Sequence, residues 1–146
     1  MKRYSLANHI LSITPNNSTL KWAFDTISIG GEGSYLDSIS ISLNGQLWST
    51  TPFATGAWVH NKNLDKTGTV VLSLNQMSDE VKTFVTMAET YYADDYDGFT
   101  LTLTTNEGEL ICTCVDCYIQ NIPSQDYQSN AQNQSWTFTC GKITFK

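Results

Sequence analysis

Apolar and polar residues alternate at the strand period of two over several short stretches of this chain, and at the helical period over one. Thr69-Val70-Val71-Leu72-Ser73-Leu74 puts Val70, Leu72 and Leu74 on one face with Thr69 and Ser73 opposite, the pattern of a half-buried strand. The period changes at Ser78, an N-cap residue followed by Asp79 and Glu80, whose charges suit the positive end of a helix dipole. Val81, Phe84, Val85, Ala88, Tyr91 and Tyr92 then recur on one stripe, so the spacing predicts a helix over about residues 78–93 that packs on something. Asp94-Asp95-Tyr96-Asp97-Gly98 ends it, and Phe99-Thr100-Leu101-Thr102-Leu103 resumes strict alternation. Lys66–Leu103 therefore reads strand, helix, strand. Ser135–Phe145, with Trp136, Phe138 and Cys140 on one face, belongs with it until Gly141 changes direction.

The rest of the chain is read as further strands and turns. Tyr4–Ile13 is a strand or an arm, Thr14-Pro15-Asn16-Asn17-Ser18 a turn, and Leu20–Ile29, with Leu20, Trp22 and Phe24 on one side, a second strand or the end of the first hairpin. Gly30-Gly31-Glu32-Gly33 lacks the third glycine of a dinucleotide fingerprint and the Gly-Lys-Ser/Thr of a phosphate loop, so it reads as a flexible loop. Asp37–Leu43 alternates Ile39, Ile41 and Leu43 with Ser38, Ser40 and Ser42, and Asn44-Gly45 is a strong hairpin signal. Gln46–Asn63 mixes Leu47, Trp48, Pro52, Phe53, Trp58 and Val59 with Thr, Gly and Asn without a steady period. Such a segment either folds back on the core or presents its large apolar groups to a partner. Asn106-Glu107-Gly108 is a tight turn, Leu110–Ile119 a strand, and Pro123–Gln134 a mobile polar loop. Strands outnumber the single helix, so the fold class is mainly β: a β-sandwich or barrel with one helix on its side.

Length and charge narrow the classes. The 146 residues form one domain, 1–146, large enough to fold without metal or disulfide. Charged residues make up 15%, against a usual value of about 25%. A sheet surface rich in uncharged Ser, Thr, Asn and Gln suits a protein that buries its outside against copies of itself. The formal net charge is -6, with no cluster of Lys and Arg, which disfavours nucleic-acid binding. Asn8 and His9 interrupt the stretch after Met1-Lys2-Arg3, so no signal peptide is expected, and no window approaches the ~20 apolar residues of a membrane span. Without a secretory route, the acceptor patterns at Asn17-Ser18-Thr19 and Asn133-Gln134-Ser135 are coincidences of composition.

Candidate chemistry is sparse. Cys112, Cys114, Cys117 and Cys140 suggest a zinc or redox cluster, but in a regular strand Cys112 and Cys114 share a face and Cys117 points to the other. They are expected to be reduced fillers of the core. His9 and His60 accompany no nucleophile motif, and Asp94, Asp95 and Asp97 lack the twelve-residue calcium loop. No catalytic, cofactor-binding or metal residues are assigned, and no enzyme is expected.

Two stretches carry a resemblance. Lys66-Thr67-Gly68-Thr69-Val70-Val71-Leu72-Ser73-Leu74, followed by a polar step and a helix, and the closing Trp136-Thr137-Phe138-Thr139-Cys140-Gly141-Lys142-Ile143 resemble a family of bacteriophage tail tube proteins. The similarity covers roughly residues 37–145; the cysteine cluster lies outside the family pattern, and the 44–63 segment is richer in Trp. The resemblance implies the tube-forming fold shared with type VI secretion inner tubes, in which subunits close into rings, commonly hexameric, that stack into a conduit for DNA. It implies a structural role in the virion tail after synthesis in the host bacterial cytoplasm. The implied partners are further copies of the chain and sheath, tape-measure and baseplate or terminator proteins, with no membrane and no specific DNA contact. Residues 44–63 then become an extended hairpin or loop between subunits, with Trp48, Phe53, Trp58 and Val59 as contact candidates. The alternative is a carbohydrate-binding or adhesin-like β-sandwich using Trp48, Trp58 and tyrosines as a sugar platform.

Overall fold

The computed structural model describes residues 3–16, 26–90 and 98–146. After a 3-10 turn at Leu6–Asn8 the elements are β1 (His9–Pro15), β2 (Ile27–Gly30), β3 (Leu36–Leu43), β4 (Trp48–Pro52), β5 (Trp58–Lys62), β6 (Gly68–Asn75), α1 (Asp79–Thr90), β7 (Phe99–Thr105), β8 (Leu110–Asn121) and β9 (Asn133–Phe145). Seven strands form one antiparallel sheet in the order β2-β1-β7-β8-β9-β6-β3, and β4 pairs with β5 apart from it. The sheet curls into a half-barrel: Ile39 and Ile41 of one edge strand share a groove with Tyr4, Leu6 and His9, which lead into β1 near the other edge.

The period-two pattern explains the packing. Val70, Leu72 and Leu74 of β6, Leu101 of β7 and Trp136 and Phe138 of β9 all face inward and are buried, as the alternation predicts. Helix α1 closes this side with Val81, Phe84, Met87 and Ala88. Phe84 is the hub, its ring centroid 5.4 Å from that of Trp136 and 5.5 Å from that of Phe138, tilted and edge-on respectively. Met87 belongs to the same stripe, although the sequence reading omitted it. Ser78 precedes the helix, accepts from the Val81 amide through its carbonyl, and donates its hydroxyl to the Glu80 carboxylate. The opposite sheet face carries hydroxyls in register: Ser28, Ser12, Thr102, Thr113 and Thr144 align across five strands.

β6 pairs with β9, and β7 is separated from β6 by β8 and β9. Thr14 and Pro15 continue β1 instead of turning, and Pro15 lies beyond the stretch that pairs with β2, where its missing N–H interrupts no ladder on that side. The polar segment expected to be mobile is tied down. Gln132 accepts from Gln76 through backbone atoms at 2.9 Å, and Gln134, itself buried, donates to Gln125 and accepts from the Trp136 indole. Leu20, Trp22 and Phe24, the tyrosines at 91 and 92, and the acidic run 94–97 lie outside the described residues. Among the described residues no helix is long and apolar enough to cross a membrane.

Candidate assembly surface

β3 and β6 form the base of a single long ribbon. Their ladder runs from Leu36↔Leu74 to Leu43↔Gly68 and continues through the Asn44 amide, which donates to the Thr67 carbonyl at 3.0 Å. After a short joint the two chains pair again as β4 and β5, with the Asn63 amide on the Leu47 carbonyl at 3.0 Å. Asn44-Gly45 therefore marks the joint of a longer arm and not a hairpin turn. The turn signal was local, whereas the partner of β3 is set by the long-range match of Ile39 and Ile41 to the apolar face of β6. A Cβ on Gly45 would stand 2.5 Å from the side-chain Nδ2 of Asn63, an exposed end that can move aside. Opposite it, the Thr67 hydroxyl and amide bond the Asp65 carboxylate and hold its pKa below the ordinary value.

The arm reverses at Phe53-Ala54-Thr55-Gly56-Ala57. Phe53 donates to the Ala57 carbonyl at 2.9 Å and accepts from the Gly56 amide at 3.0 Å, while Gly56 takes φ +94°, as a three-residue hairpin loop requires. Cross-strand side chains fasten the hairpin: Thr50 Oγ1 lies 3.0 Å from His60 Nδ1, and Asn61 donates to Thr51 at 2.8 Å.

Every residue of β4 and β5 is exposed. Trp48 is 58%, Phe53 50%, Trp58 64% and Val59 46% accessible, so the contact candidates stand in solvent together on this arm. The register puts Trp48, Pro52 and Trp58 on one face and Val59 on the other, with Phe53 at the tip. Of the two alternatives open to 46–63, the structure places the apolar groups outside the core.

All four cysteines are free and buried, as fillers of the core, but Cys117 departs from expectation: it shares the inner face with Cys112 and Cys114. Asp116 adopts φ +59° opposite Gly141, and both strands change phase at that point: two residues lie between Cys114 and Cys117, and two between Cys140 and Ile143, where strict alternation would leave an odd number, yet all four side chains are buried. Cys117 Sγ reaches Cys140 Sγ at 3.1 Å and Cys112 Sγ lies 3.8 Å from Cys114 Sγ. Among the described residues no group of three or more His, Cys, Asp or Glu is arranged to hold a metal. Burial, with the neighbouring Cys114, pushes the Cys112 thiol up to about 12. The hydrogen bond to Cys140 and burial raise Cys114. For Cys140 the bond with Cys114 lowers the pKa, but the bond to Cys117 and burial outweigh it and carry it to about 12. These are protonated, inert thiols at neutral pH.

The histidines lie apart, His9 beside Tyr4 and the Ser5 carbonyl, His60 on the arm. An apolar groove of about 280 Å³, lined in part by Tyr4, Ile39, Ile41, Ile111 and Phe145, opens towards the arm's end of the barrel.

Three solved structures share this architecture over nearly the whole chain. A sheath-tube complex chain of an extracellular contractile injection system in the extended state aligns with TM-score 0.61 and 15% identity, covering 99% of this chain and 91% of that one. A sheath/tube terminator of the same kind of system gives TM-score 0.60 and 12% identity over 100% and 98%. The tube-terminating cap of the anti-feeding prophage gives 0.58 and 11% over 100% and 93%. No curated protein sequence matches. A sequence profile of the Bacteriophage PhiTE tail tube protein matches residues 19–146, and the fold of the injection-system tube proteins is the one these strands build. The chain belongs to the Bacteriophage PhiTE tail tube protein family.

Proposed function

We propose that this chain is a non-enzymatic structural subunit that assembles with itself into hexameric rings, stacked as the tail tube of a phage or phage-tail-like particle. The observation that carries this is the β4–β5 arm. An isolated two-stranded hairpin is marginal in water, and this one holds Trp48, Phe53, Trp58 and Val59 in solvent, where only another molecule can cover them. The sheet supports the same conclusion. Its edge strands among the described residues, β2 and β3, carry neither Lys nor Pro, the usual guards against edge pairing, so neighbouring subunits can join edge to edge into a ring.

The tube serves as a conduit for DNA. An acidic subunit of net charge -6, with a hydroxyl-bearing sheet face, offers phosphates no cluster of cations, so a genome slides past without binding. Sheath, tape-measure and baseplate or terminator proteins are the partners outside, within and at the ends. The subunit is made in the host bacterial cytoplasm and delivered to the virion tail.

Negative-stain electron microscopy beside solution mass, at low and high concentration, tests this. Rings or hollow tubes, and a mass that rises to multiples of 16.3 kDa, are expected. A monomer at every concentration that is retained on a glycan array would replace the tube with the carbohydrate-binding alternative.

A further inference from the structure

The two ends of the β3–β6 ribbon differ in chemistry. The Leu43↔Gly68 end leads into the arm. The Leu36↔Leu74 end, about 20 Å away at ~3.3 Å per residue, carries Tyr35, which is 59% exposed and whose carbonyl accepts from the Asn75 amide, and Met77, which is 65% exposed. Between the β2–β3 turn and the first turn of α1 lies a cleft of about 180 Å³ lined in part by Gly33, Ser34, Tyr35, Ser78, Asp79 and Glu80. A cavity of ~150 Å³ is enough to hold a benzene ring, so this one admits a single aromatic side chain. We propose that this cleft receives the tip of the β4–β5 arm of a second copy of the chain, with Phe53 or Trp58 as the inserted ring. This rests on the tube assembly proposed above and names the surface that receives the arm.

Charge points to the same occupant. Residues 38–64 contain no Asp or Glu and carry Lys62, a net +1 within a chain of -6, which leaves -7 elsewhere. The receiving end carries Glu32, Asp37, Asp79 and Glu80, with Lys82 as the nearest cation along the chain. Lys62 stands at the arm's base opposite Trp48 and the tip, Phe53–Trp58, is uncharged, so the arm brings no carboxylate to an acidic, half-apolar cleft. Because the two surfaces lie at opposite ends of the same strand pair, one contact leaves a free arm and a free cleft, so the association is heterologous and propagates. The larger groove of Tyr4, Ile39, Ile41 and Phe145 is the less suitable receptor, because β9 reaches Phe145 only after passing Cys140, the partner of Gly68 at the arm's own end.

Cross-linking of assembled full-length protein tests this. Thr55→Cys at the arm tip and Ser34→Cys in the cleft are mixed, assembled, oxidised mildly with a small disulfide, capped with an alkylating agent and run denatured without reductant. A band at twice 16.3 kDa is expected in the mixture and absent from either variant alone, and Tyr35→Asp introduced into the Ser34→Cys chain abolishes it. Dimers from Thr55→Cys alone, or dimers with Tyr4→Cys in place of Ser34→Cys, overturn the proposal. Tubes visible by electron microscopy without the cross-link overturn the docking alone; no assembly of any kind overturns the docking and the tube together.

Discussion

Asp116 and Gly141 are small features with a large effect on the interior. Regular alternation through β8 would send the Cys117 side chain to the hydroxyl face, but the phase change brings it back beside Cys140. Gly141 was legible as a change of direction in β9. Its consequence for β8 was not, because it depends on which strand lies opposite. The thiols give a pH prediction. A thiol ionises near 8.5 in an unfolded chain, while Cys112 in the fold is pushed up to about 12. Folding therefore favours the protonated form: its stabilising contribution is fully present below about pH 8.5 and is lost as pH rises towards 12. Melting temperatures measured from pH 8 upward should fall less steeply for Cys112→Ala than for the wild type, although the variant starts lower. Parallel profiles would mean that this thiol titrates normally.

At the scale of elements, the helix was readable because Val81, Phe84 and Ala88 repeat every three or four residues, and β6, β7 and β9 because their inward residues repeat every two. The arm was not readable in the same way. β4 and β5 are exposed on both faces, so no periodicity separates an inside from an outside, and only the pairing of Trp48 through Pro52 with Trp58 through Lys62 reveals them as strands. Gly56 is the residue on which the reversal depends. A Cβ there meets nothing within 4 Å, so Gly56→Ala acts through φ +94° alone and costs roughly 1 kcal/mol. That cost falls on the arm and not on the core. Amide exchange should accelerate across residues 48–62 while the global melting temperature stays close to that of the wild type; a large global loss would mean that the arm folds together with the barrel.

For the molecule as a whole, the surface that holds the fold together is separate from the one proposed for assembly. The core of Phe84, Trp136 and Phe138 is complete within one chain, and the arm contributes nothing to it. Trp58→Asp should consequently leave the monomer's stability within about 0.5 kcal/mol, as at other exposed positions, and on the proposed assembly it abolishes stacking, because a charge then stands where that assembly buries an aromatic ring. Thermal melting and electron microscopy of the same preparation separate these effects. Intact tubes from this variant would remove Trp58 from the contact.

The sequence by itself determined that the chain is mainly β with one helix, which residues of β3, β6, β7 and β9 point inward, and, through the Lys66–Leu74 and Trp136–Ile143 stretches, which family to expect. Those properties are carried by local periodicity and by residue identity at fixed spacing. Only the tertiary structure decided that Asn44-Gly45 is a joint in a ribbon, that the cysteines share one face, and that Trp48, Phe53 and Trp58 stand free of the core. Each of these depends on which strand pairs with which. Pairing is settled by contacts between residues far apart in sequence, such as Ile41 with Val70 and Cys117 with Cys140, which no local pattern encodes.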